Sequence, residues 1–186
     1  MAEKATPHRP LSVEEYLALE ESASVRHEYV AGETYALAGA TDRHNRISLN
    51  IASRLLAAAR GTPCRVYMSD MKLRASESVF YYPDVMVVCG PPEPGNPDFQ
   101  RDPCLVVEVL SPSTEQIDRR EKLLVYENIP SVGAYLVVSQ DIRRVERHFR
   151  GEDGLWRKAD LVDVGRFPVP CPPDTELTLD EVYEGL

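Results

Sequence analysis

The longest periodic stretch of the chain runs from about residue 41 to residue 60. Its apolar side chains recur every three or four positions, which is the spacing of one face of an α-helix. Gly61 follows it, and glycine often ends a helix because it adopts a left-handed conformation easily. Two shorter helices are predicted from capping signals at Ser12, which forms a capping box with Glu15, and at Ser113. They cover about residues 12–21 and 113–128.

Short runs rich in β-branched and aromatic residues predict the strands. Four such runs form the centre of the predicted fold, at residues 64–74, 80–89, 104–110 and 134–139. Two hairpins are also expected, one turning at Gly32 and one at residues 151–154, and a last strand or turn is expected near residues 177–182. Residues 90–103 contain five prolines and predict a long loop without secondary structure, suited to a lid or an assembly contact.

This order of elements predicts a mixed α/β (α+β) fold. Its core is helix, strand, strand, strand, helix, strand, preceded by a helix and a hairpin and followed by a C-terminal β-hairpin. A length of 186 residues is enough for one sizeable core, so a single domain over residues 1–186 is expected, with residues 1–10 as a flexible tail.

The composition indicates where in the cell the protein is expected and in which state its cysteines are expected. No apolar run approaches the length of a membrane span and the N-terminus lacks a secretory signal, so we expect a cytoplasmic protein with no membrane partner. The cysteines are far apart in sequence, form no C-x-x-C pair and lie mostly near apolar runs, so buried reduced thiols are expected and zinc is disfavoured. They are Cys64, Cys89, Cys104 and Cys171.

The net charge of −9 and the sequence pI near 5.0 exclude a protein that coats nucleic acid by bulk electrostatics. Contacts with phosphate would have to be local. Two groups of arginines could supply them, unless they only form solvated faces. They are Arg143, Arg144, Arg147 and Arg150 in one group and Arg43 and Arg46 in the other.

Glu108 is the most informative residue of the chain. All its neighbours from Cys104 to Leu110 are apolar, which predicts a central strand covered on both faces. A carboxylate there must be paired or bound to a metal to offset its desolvation. A structural ion pair with an arginine is the alternative.

Asp84 is a second acid inside a strongly β-forming run. Pro83 before it removes a ladder donor and predicts a strand start or an irregularity that aims Asp84 toward Glu108. The alternative is a simple cap at the strand start. Asp70, in the preceding run, is a weaker third carboxylate, and a solvent-facing residue is an equal alternative for it.

Three stretches resemble the Uma-two family of the PD-(D/E)XK restriction-endonuclease-like superfamily. They are Tyr82 to Val85, Leu105 to Thr114, and Asp118 through Lys122 to Tyr126. The resemblance extends to His44 after Gly39-Ala40 and covers roughly residues 11–183. It implies a fold in which the helices at 41–60 and 113–128 cover a sheet of the four central strands, in agreement with the order predicted from the pattern.

The chain also departs from that superfamily. The lysine of the usual E-x-K element would stand two residues after Glu108, but Leu110 occupies that position. Lys122 is the predicted replacement, because i, i+4 spacing places it on one helical stripe with Asp118. A surface pair of Lys122 with Asp118 is the alternative. The usual glutamate of the first helix is absent, and His44 occupies that helix start, either as a catalytic residue or as a satisfied core histidine.

The resemblance implies metal-dependent phosphodiester hydrolysis with DNA as the expected substrate. Mg²⁺ or Mn²⁺ fits, because these cations prefer oxygen ligands and retain waters. Asp84, Glu108 and the Val109 carbonyl would hold the ion, with Asp70 as a weaker ligand, while Lys122 would orient a water or stabilise developing charge. Two other functions stay open: a catalytically silent scaffold or binding module, and a hydrolase of a small phosphorylated molecule. A homo-oligomer also stays open.

Overall fold

The computed structural model describes residues 9–91, 98–112 and 114–186. Most of the predicted N-terminal tail, the centre of the proline-rich loop and the predicted cap Ser113 lie outside the described residues. The helices follow the predicted order. They are α1 (Val13–Ser22), α2 (Asp42–Ala59), α3 (Glu115–Ile117), a π-helical segment (Asp118–Lys122), α4 (Leu123–Glu127) and α5 (Leu179–Val182).

The helix signals in the sequence are confirmed where they can be tested. Ser12 and Glu15 form both bonds of the capping box that begins α1. Thr41 caps α2 by accepting the His44 N–H, and Gly61 follows α2 with a positive φ of 76°. None of the helices in the described part of the chain is long and apolar enough to cross a membrane.

Thirteen strands are present among the described residues. They are β1 (His27–Val30), β2 (Glu33–Ala36), β3 (Cys64–Met68), β4 (Lys72–Ser76), β5 (Val79–Tyr81), β6 (Val85–Cys89), β7 (Phe99–Gln100), β8 (Leu105–Val109), β9 (Ala134–Val138), β10 (Arg144–Arg150), β11 (Trp156–Val162), β12 (Arg166–Pro168) and β13 (Glu176–Thr178). Both predicted hairpins, β1–β2 and β10–β11, are confirmed.

The main sheet has six strands in the order β11-β10-β9-β8-β6-β3. Strand β8 lies in its centre, parallel to β9 and antiparallel to β6, as the apolar surroundings of Glu108 predicted. Apolar residues of α2 pack on one face of this sheet, with Val107 and Val109 of β8. On the opposite face, Val106 packs with Tyr126 of α4. Alternation along β8 therefore turns Glu108 toward the face covered by α4.

The second sheet, in the order β2-β1-β5-β4-β7, was not predicted. The runs at 64–74 and 80–89 were each expected to be one strand, and this is wrong, because each run divides between the two sheets. The first is interrupted at Ser69, which has a φ of 33°, and the second at Pro83, which cannot donate to a ladder. Asp70 consequently lies in a turn rather than in a strand.

Two other expectations need correction. The loop at 90–103 was predicted to lack secondary structure, but its residues Phe99 and Gln100 form β7, which pairs parallel to β4. The helix predicted at 113–128 contains the π-helical segment Asp118–Lys122, where the backbone widens between α3 and α4. The predicted last element near 177–182 is β13, paired with β12 and followed by α5.

The cysteines are not reduced, separate thiols, so that prediction is wrong. They form two disulfides, Cys64–Cys89 and Cys104–Cys171. The antiparallel register of β3 and β6 places Cys64 directly opposite Cys89. Strand pairing therefore brings together two cysteines that are 25 positions apart, and their spacing in the sequence does not indicate a disulfide.

Candidate active site

The first acid of the site lies where β6 begins. Asp84 is the residue before β6, and its position follows from Pro83, which ends the hydrogen-bonded run of β5 and allows the chain to turn into the other sheet. Asp84 Oδ2 accepts the backbone N–H of Val109 at 2.7 Å, across the junction between β6 and β8. Asp84 was predicted to be aimed toward Glu108, and its hydrogen bond is to the backbone of the next residue, Val109.

His44 reaches the same carboxylate from the first turn of α2. Its Nε2 lies 3.2 Å from Asp84 Oδ2. Burial lowers the pKa of the His44 imidazole, but the hydrogen bond and the charge of Asp84 outweigh burial and raise it above its ordinary value. His44 therefore contacts Asp84, one of the two acids predicted to bind the metal.

Glu108 is 4% exposed, and its Oε1 accepts two hydrogen bonds. The Lys122 ammonium donates at 3.1 Å and the Tyr126 hydroxyl donates at 2.9 Å. An arginine pair was the alternative, but the cation beside Glu108 is the predicted Lys122. Burial raises the pKa of Glu108 well above its ordinary value, although the charge of Lys122 opposes this shift.

Lys122 lies at the centre of three carboxylates. Its Nζ is 2.9 Å from Glu28, 3.1 Å from Glu108 and 3.3 Å from Asp118. Burial lowers the pKa of this ammonium, but the three negative charges outweigh burial and hold the pKa well above its usual range. Lys122 is 3% exposed, so the alternative of a solvated surface pair with Asp118 does not hold.

Negative charge exceeds positive charge in this cluster. Three carboxylates, of Glu28, Glu108 and Asp118, contact the single ammonium of Lys122, and the charge of a fourth, Asp84, acts on Glu108. Burial, with a smaller contribution from the charge of Asp84, also raises the pKa of Asp118. Asp118 Oδ1 is buried and has no hydrogen-bond partner among the described residues, since its contact with Lys122 lacks hydrogen-bond geometry. A cation would satisfy this atom and offset the excess charge.

The remaining predicted ligands lie at different depths. Val109 ends β8, its N–H is bound to Asp84, and its backbone also hydrogen-bonds with His44. Asp70 is on the rim: its side chain is 86% exposed, and its Oδ1 is 3.7 Å from Arg26 Nε. The structure thus places Asp84, Glu108 and Lys122 in the lining of one cavity and leaves Asp70 in solvent.

The donor set fits a hard divalent cation held by few protein atoms. In residues 9–91, 98–112 and 114–186, no three His, Asp or Glu ligand atoms lie within 4.8 Å of one another. The acidic site therefore offers carboxylates that line one cavity rather than a full cage. Mg²⁺ and Mn²⁺ suit this arrangement, because such ions are commonly held by one or two carboxylates together with waters and substrate oxygens.

The cluster lies at the bottom of an open cavity of about 640 Å³. Its walls come from the α1–β1 connection, the β2–α2 connection, the turn at Asp70 and the segment after β8. Arg26 lines this cavity, and Arg43 donates to the carbonyl of Gln140, another lining residue. The acids are therefore reachable from solvent, with two guanidinium groups nearby.

Sequence reasoning missed the role of Glu28. This residue lies on β1 and was seen only as part of a hairpin, but pairing of β1 with β5 carries it to Lys122 and to the Tyr82 N–H, 3.4 Å away. The motif HEYV carries no local signal of a buried acid. Asp118 was predicted on the correct stripe, but its burial became evident only in the packed structure.

The fold and the acidic site define a nuclease-like protein of the restriction-endonuclease class. The sequence profile of the Uma2 family, described as "Putative restriction endonuclease", matches residues 13–180, and the chain belongs to this family.

Two proteins of Synechocystis sp. (strain ATCC 27184 / PCC 6803 / Kazusa) are similar in sequence. "Uncharacterized protein slr1290" is 37% identical over 183 residues, which are 98% of this chain and 96% of that protein. "Uncharacterized protein sll1609" is 36% identical over 156 residues, which are 82% of this chain and 88% of that protein.

A solved structure of similar fold supports this assignment. A protein of Anabaena variabilis ATCC 29413, described as "a putative nuclease belonging to DUF820", superposes with a TM-score of 0.76 at 16% identity. The match covers 94% of this chain and 98% of that one. The predicted family and the predicted fold class are both confirmed.

Proposed function

We propose that this protein is a metal-dependent endonuclease that hydrolyses phosphodiester bonds, with DNA as its substrate and Mg²⁺ or Mn²⁺ as its cofactor. The observation that carries the proposal is the excess of carboxylates around one buried lysine at the bottom of an open cavity. Such an arrangement is costly in the absence of a further cation, because buried like charges repel one another.

Asp84, Glu108 and the Val109 carbonyl would hold the ion, and Asp70 could contribute only from the rim. A divalent ion bound there would polarise the scissile phosphate and lower the pKa of a bound water. The N–H of Val109 holds one oxygen of Asp84 in place. In the same way, Lys122 and Tyr126 hold Glu108 Oε1, so both acids are oriented before any ligand arrives.

Lys122 would act as a fixed positive charge and not as a base. Its raised pKa keeps the ammonium protonated at neutral pH, so it has no lone pair with which to accept a proton from water. Its charge would instead stabilise the additional negative charge that develops on the phosphate in the transition state. His44 would help to position Asp84 through its contact of 3.2 Å with Oδ2.

DNA would bind through local contacts, since the net charge of −9 opposes broad electrostatic attraction. Two arginines could supply them: Arg26, which lines the cavity at its rim, and Arg43, which donates to the carbonyl of the lining residue Gln140. The other arginine group, on and just before β10, makes contacts away from the cavity. Arg144 contacts Asp160, and the guanidinium of Arg147 lies 3.8 Å from the ring centre of Phe149.

The test is cleavage of supercoiled and single-stranded DNA with Mn²⁺ or Mg²⁺, with and without a chelator. We expect metal-dependent cutting that falls about 10²-fold or more in Asp84→Asn, a typical scale for losing one positioned catalytic group. Asp180→Asn is the matched control, because the side chain of Asp180 is 84% exposed. Equal cutting by Asp84→Asn and wild type would refute this assignment of the site.

A catalytically silent binding protein is the second candidate, and one observation favours it. Glu108 Oε1 already has two donors inside the protein, and Lys122 is enclosed by protein carboxylates. In that case metal would raise the melting temperature without any cutting of DNA. A third function, hydrolysis of a small phosphorylated molecule, is consistent with the cavity volume and would show as turnover of bis(p-nitrophenyl) phosphate without cleavage of DNA.

A further inference from the structure

The four cysteines meet at the opposite end of the main sheet from the acidic site. Cys64 begins β3, Cys89 ends β6, Cys104 immediately precedes β8, and Cys171 lies between β12 and β13. Asp84 and Cys89 are five residues apart along one extended strand, which separates the two sites by roughly 17 Å at about 3.3 Å per residue. The cysteine cluster therefore cannot share ligands with the acidic site.

The two disulfides are in contact with each other. Cys89 Sγ and Cys104 Sγ are 3.5 Å apart, although they belong to different disulfides. The sulfurs of Cys89, Cys104 and Cys171 all lie within 4.8 Å of one another. Cys64 Sγ is bonded to Cys89, so all four sulfurs occupy one small volume.

The spacing of three of these sulfurs is close to that of a thiolate metal site, and the fourth, Cys64 Sγ, is bonded to one of the three. In a tetrahedral zinc site the Zn–S distance is about 2.3 Å, which places the sulfurs about 3.8 Å apart. The distance between Cys89 and Cys104 is already close to that value. The two bonded pairs would have to separate, and Cys64 Sγ, which lies outside the group of three sulfurs within 4.8 Å, would have to move closer to Cys104 and Cys171 by side-chain rotation. A set of four sulfurs selects a soft or borderline cation such as Zn²⁺ over the hard ions that suit the acidic site.

The surroundings are compatible with such a site. Cys64 and Cys171 are buried, while Cys89 and Cys104 are half-buried, so a metal could enter from the side of the latter two. A Zn²⁺ ion with four thiolates carries a net charge of −2. The Arg65 guanidinium is beside Cys89, since it donates to the carbonyl of Gly90 at 2.6 Å.

We propose that the reduced protein binds one Zn²⁺ through Cys64, Cys89, Cys104 and Cys171. Each disulfide becomes two thiols on taking up two electrons and two protons: a dithiol supplies both and is oxidised to a disulfide, whereas a phosphine supplies the electrons, water supplies the protons, and the phosphine is oxidised to its oxide. The four thiols then lose four protons as four Zn–S bonds form. The same four positions thus join β3, β6, β8 and the segment before β13 in either state, through two S–S bonds or through one ion.

The test uses the full chain, reduced with a phosphine without oxygen and titrated with Co²⁺ and then Zn²⁺. We expect one Co²⁺ per chain, with the intense visible absorption of tetrahedral cobalt thiolate, displaced by one equivalent of Zn²⁺. Cys104→Ser should weaken Zn²⁺ binding by 100-fold or more. Asp84→Asn should leave the cobalt spectrum unchanged, because it alters only the acidic site.

Absence of the thiolate absorption in reduced wild type would overturn the proposal, as would an undiminished signal in Cys104→Ser. If reduction without metal unfolds the chain, circular dichroism gives a second measurement. Recovery of the native spectrum with one equivalent of Zn²⁺ would then support the site. Failure to recover it would count against the site.

Discussion

Strands β6 and β8 run side by side, and their two ends carry different side chains. Where β6 begins and β8 ends, Asp84 binds the N–H of Val109, Glu108 contacts Lys122, and all three side chains line one cavity. Where β6 ends and β8 begins, Cys89 and Cys104 meet as parts of two disulfides. The acidic end has an excess of charge and opens into a cavity, whereas the sulfur end is cross-linked.

The difference shows how one pair of strands can hold two independent kinds of chemistry. Oxygen ligands at one end suit a hard cation that must keep sites for water and substrate, whereas sulfur ligands at the other suit a closed, structural arrangement. If this division holds, substitutions at the acidic end should alter activity most. Substitutions at the sulfur end should alter stability and leave activity intact.

Glu108→Gln should have the largest effect. The amide is nearly isosteric but loses the ionic ligand, so we expect Mn²⁺ affinity to be lost and any DNA cleavage to fall about 10³-fold or more, which corresponds to about 4 kcal/mol. Calorimetry with Mn²⁺ and a plasmid assay measure both. Glu115→Gln is the matched control, since Glu115 is half exposed and only pairs with Arg119. Unchanged Mn²⁺ affinity in folded Glu108→Gln would make Glu108 a structural residue.

Lys122→Met should have the second-largest effect. It leaves three buried carboxylates without their cation, which should cost about 3–5 kcal/mol of unfolding free energy, and should lower cleavage by about 10²-fold or more. Mn²⁺ binding should persist, because an ammonium is not a ligand. Denaturant unfolding measures the stability, calorimetry measures Mn²⁺ binding, and the cleavage assay measures the activity. Lys158→Met, on the half-exposed Lys158, controls for the loss of a lysine, and full activity in Lys122→Met would remove Lys122 from the mechanism.

Cys171→Ser should affect stability alone. It removes the disulfide between Cys171 and Cys104, which are 67 positions apart in the sequence. In the absence of reductant, this loss should lower the unfolding free energy by about 2–4 kcal/mol. Cleavage per folded molecule should match wild type, because the acidic site is at the other end of the strands. A parallel loss of cleavage in the folded variant would contradict the separation of the two ends.

Asp70→Asn should have the smallest effect and marks the outer limit of the acidic site. With a side chain 86% exposed and 3.7 Å from Arg26, it should change stability by less than about 0.5 kcal/mol. Mn²⁺ affinity should change by less than 3-fold. A loss as large as that of Glu108→Gln would instead show that the turn at Asp70 closes onto the ion.

Much of the fold could be predicted because its signals are local. The capping box at Ser12, the periodic face of α2 and the turn at Gly32 each depend on residues a few positions apart. Glu108 was recognisable because its apolar neighbours can only belong to a central strand. Asp84 was recognisable because Pro83 interrupts a strand just before it.

The rest depends on which strands pair. Nothing near Glu28 in sequence shows that β1 joins β5 and delivers this acid to Lys122. The division of two apolar runs between two sheets was missed, because short runs carry no information about their partners. The cysteines were judged by their spacing along the chain, whereas the register of β3 and β6 decides that Cys64 faces Cys89.

The sequence by itself determined the helices, the hairpins, the central strand and the two acids of the candidate site, since hydrophobic period and proline act over a few residues. Only the tertiary structure decided that Lys122 is buried among three carboxylates and that four distant cysteines share one volume. The physical reason is that burial and charge pairing arise from contacts between segments brought together by sheet register, and these contacts have no counterpart in local sequence spacing.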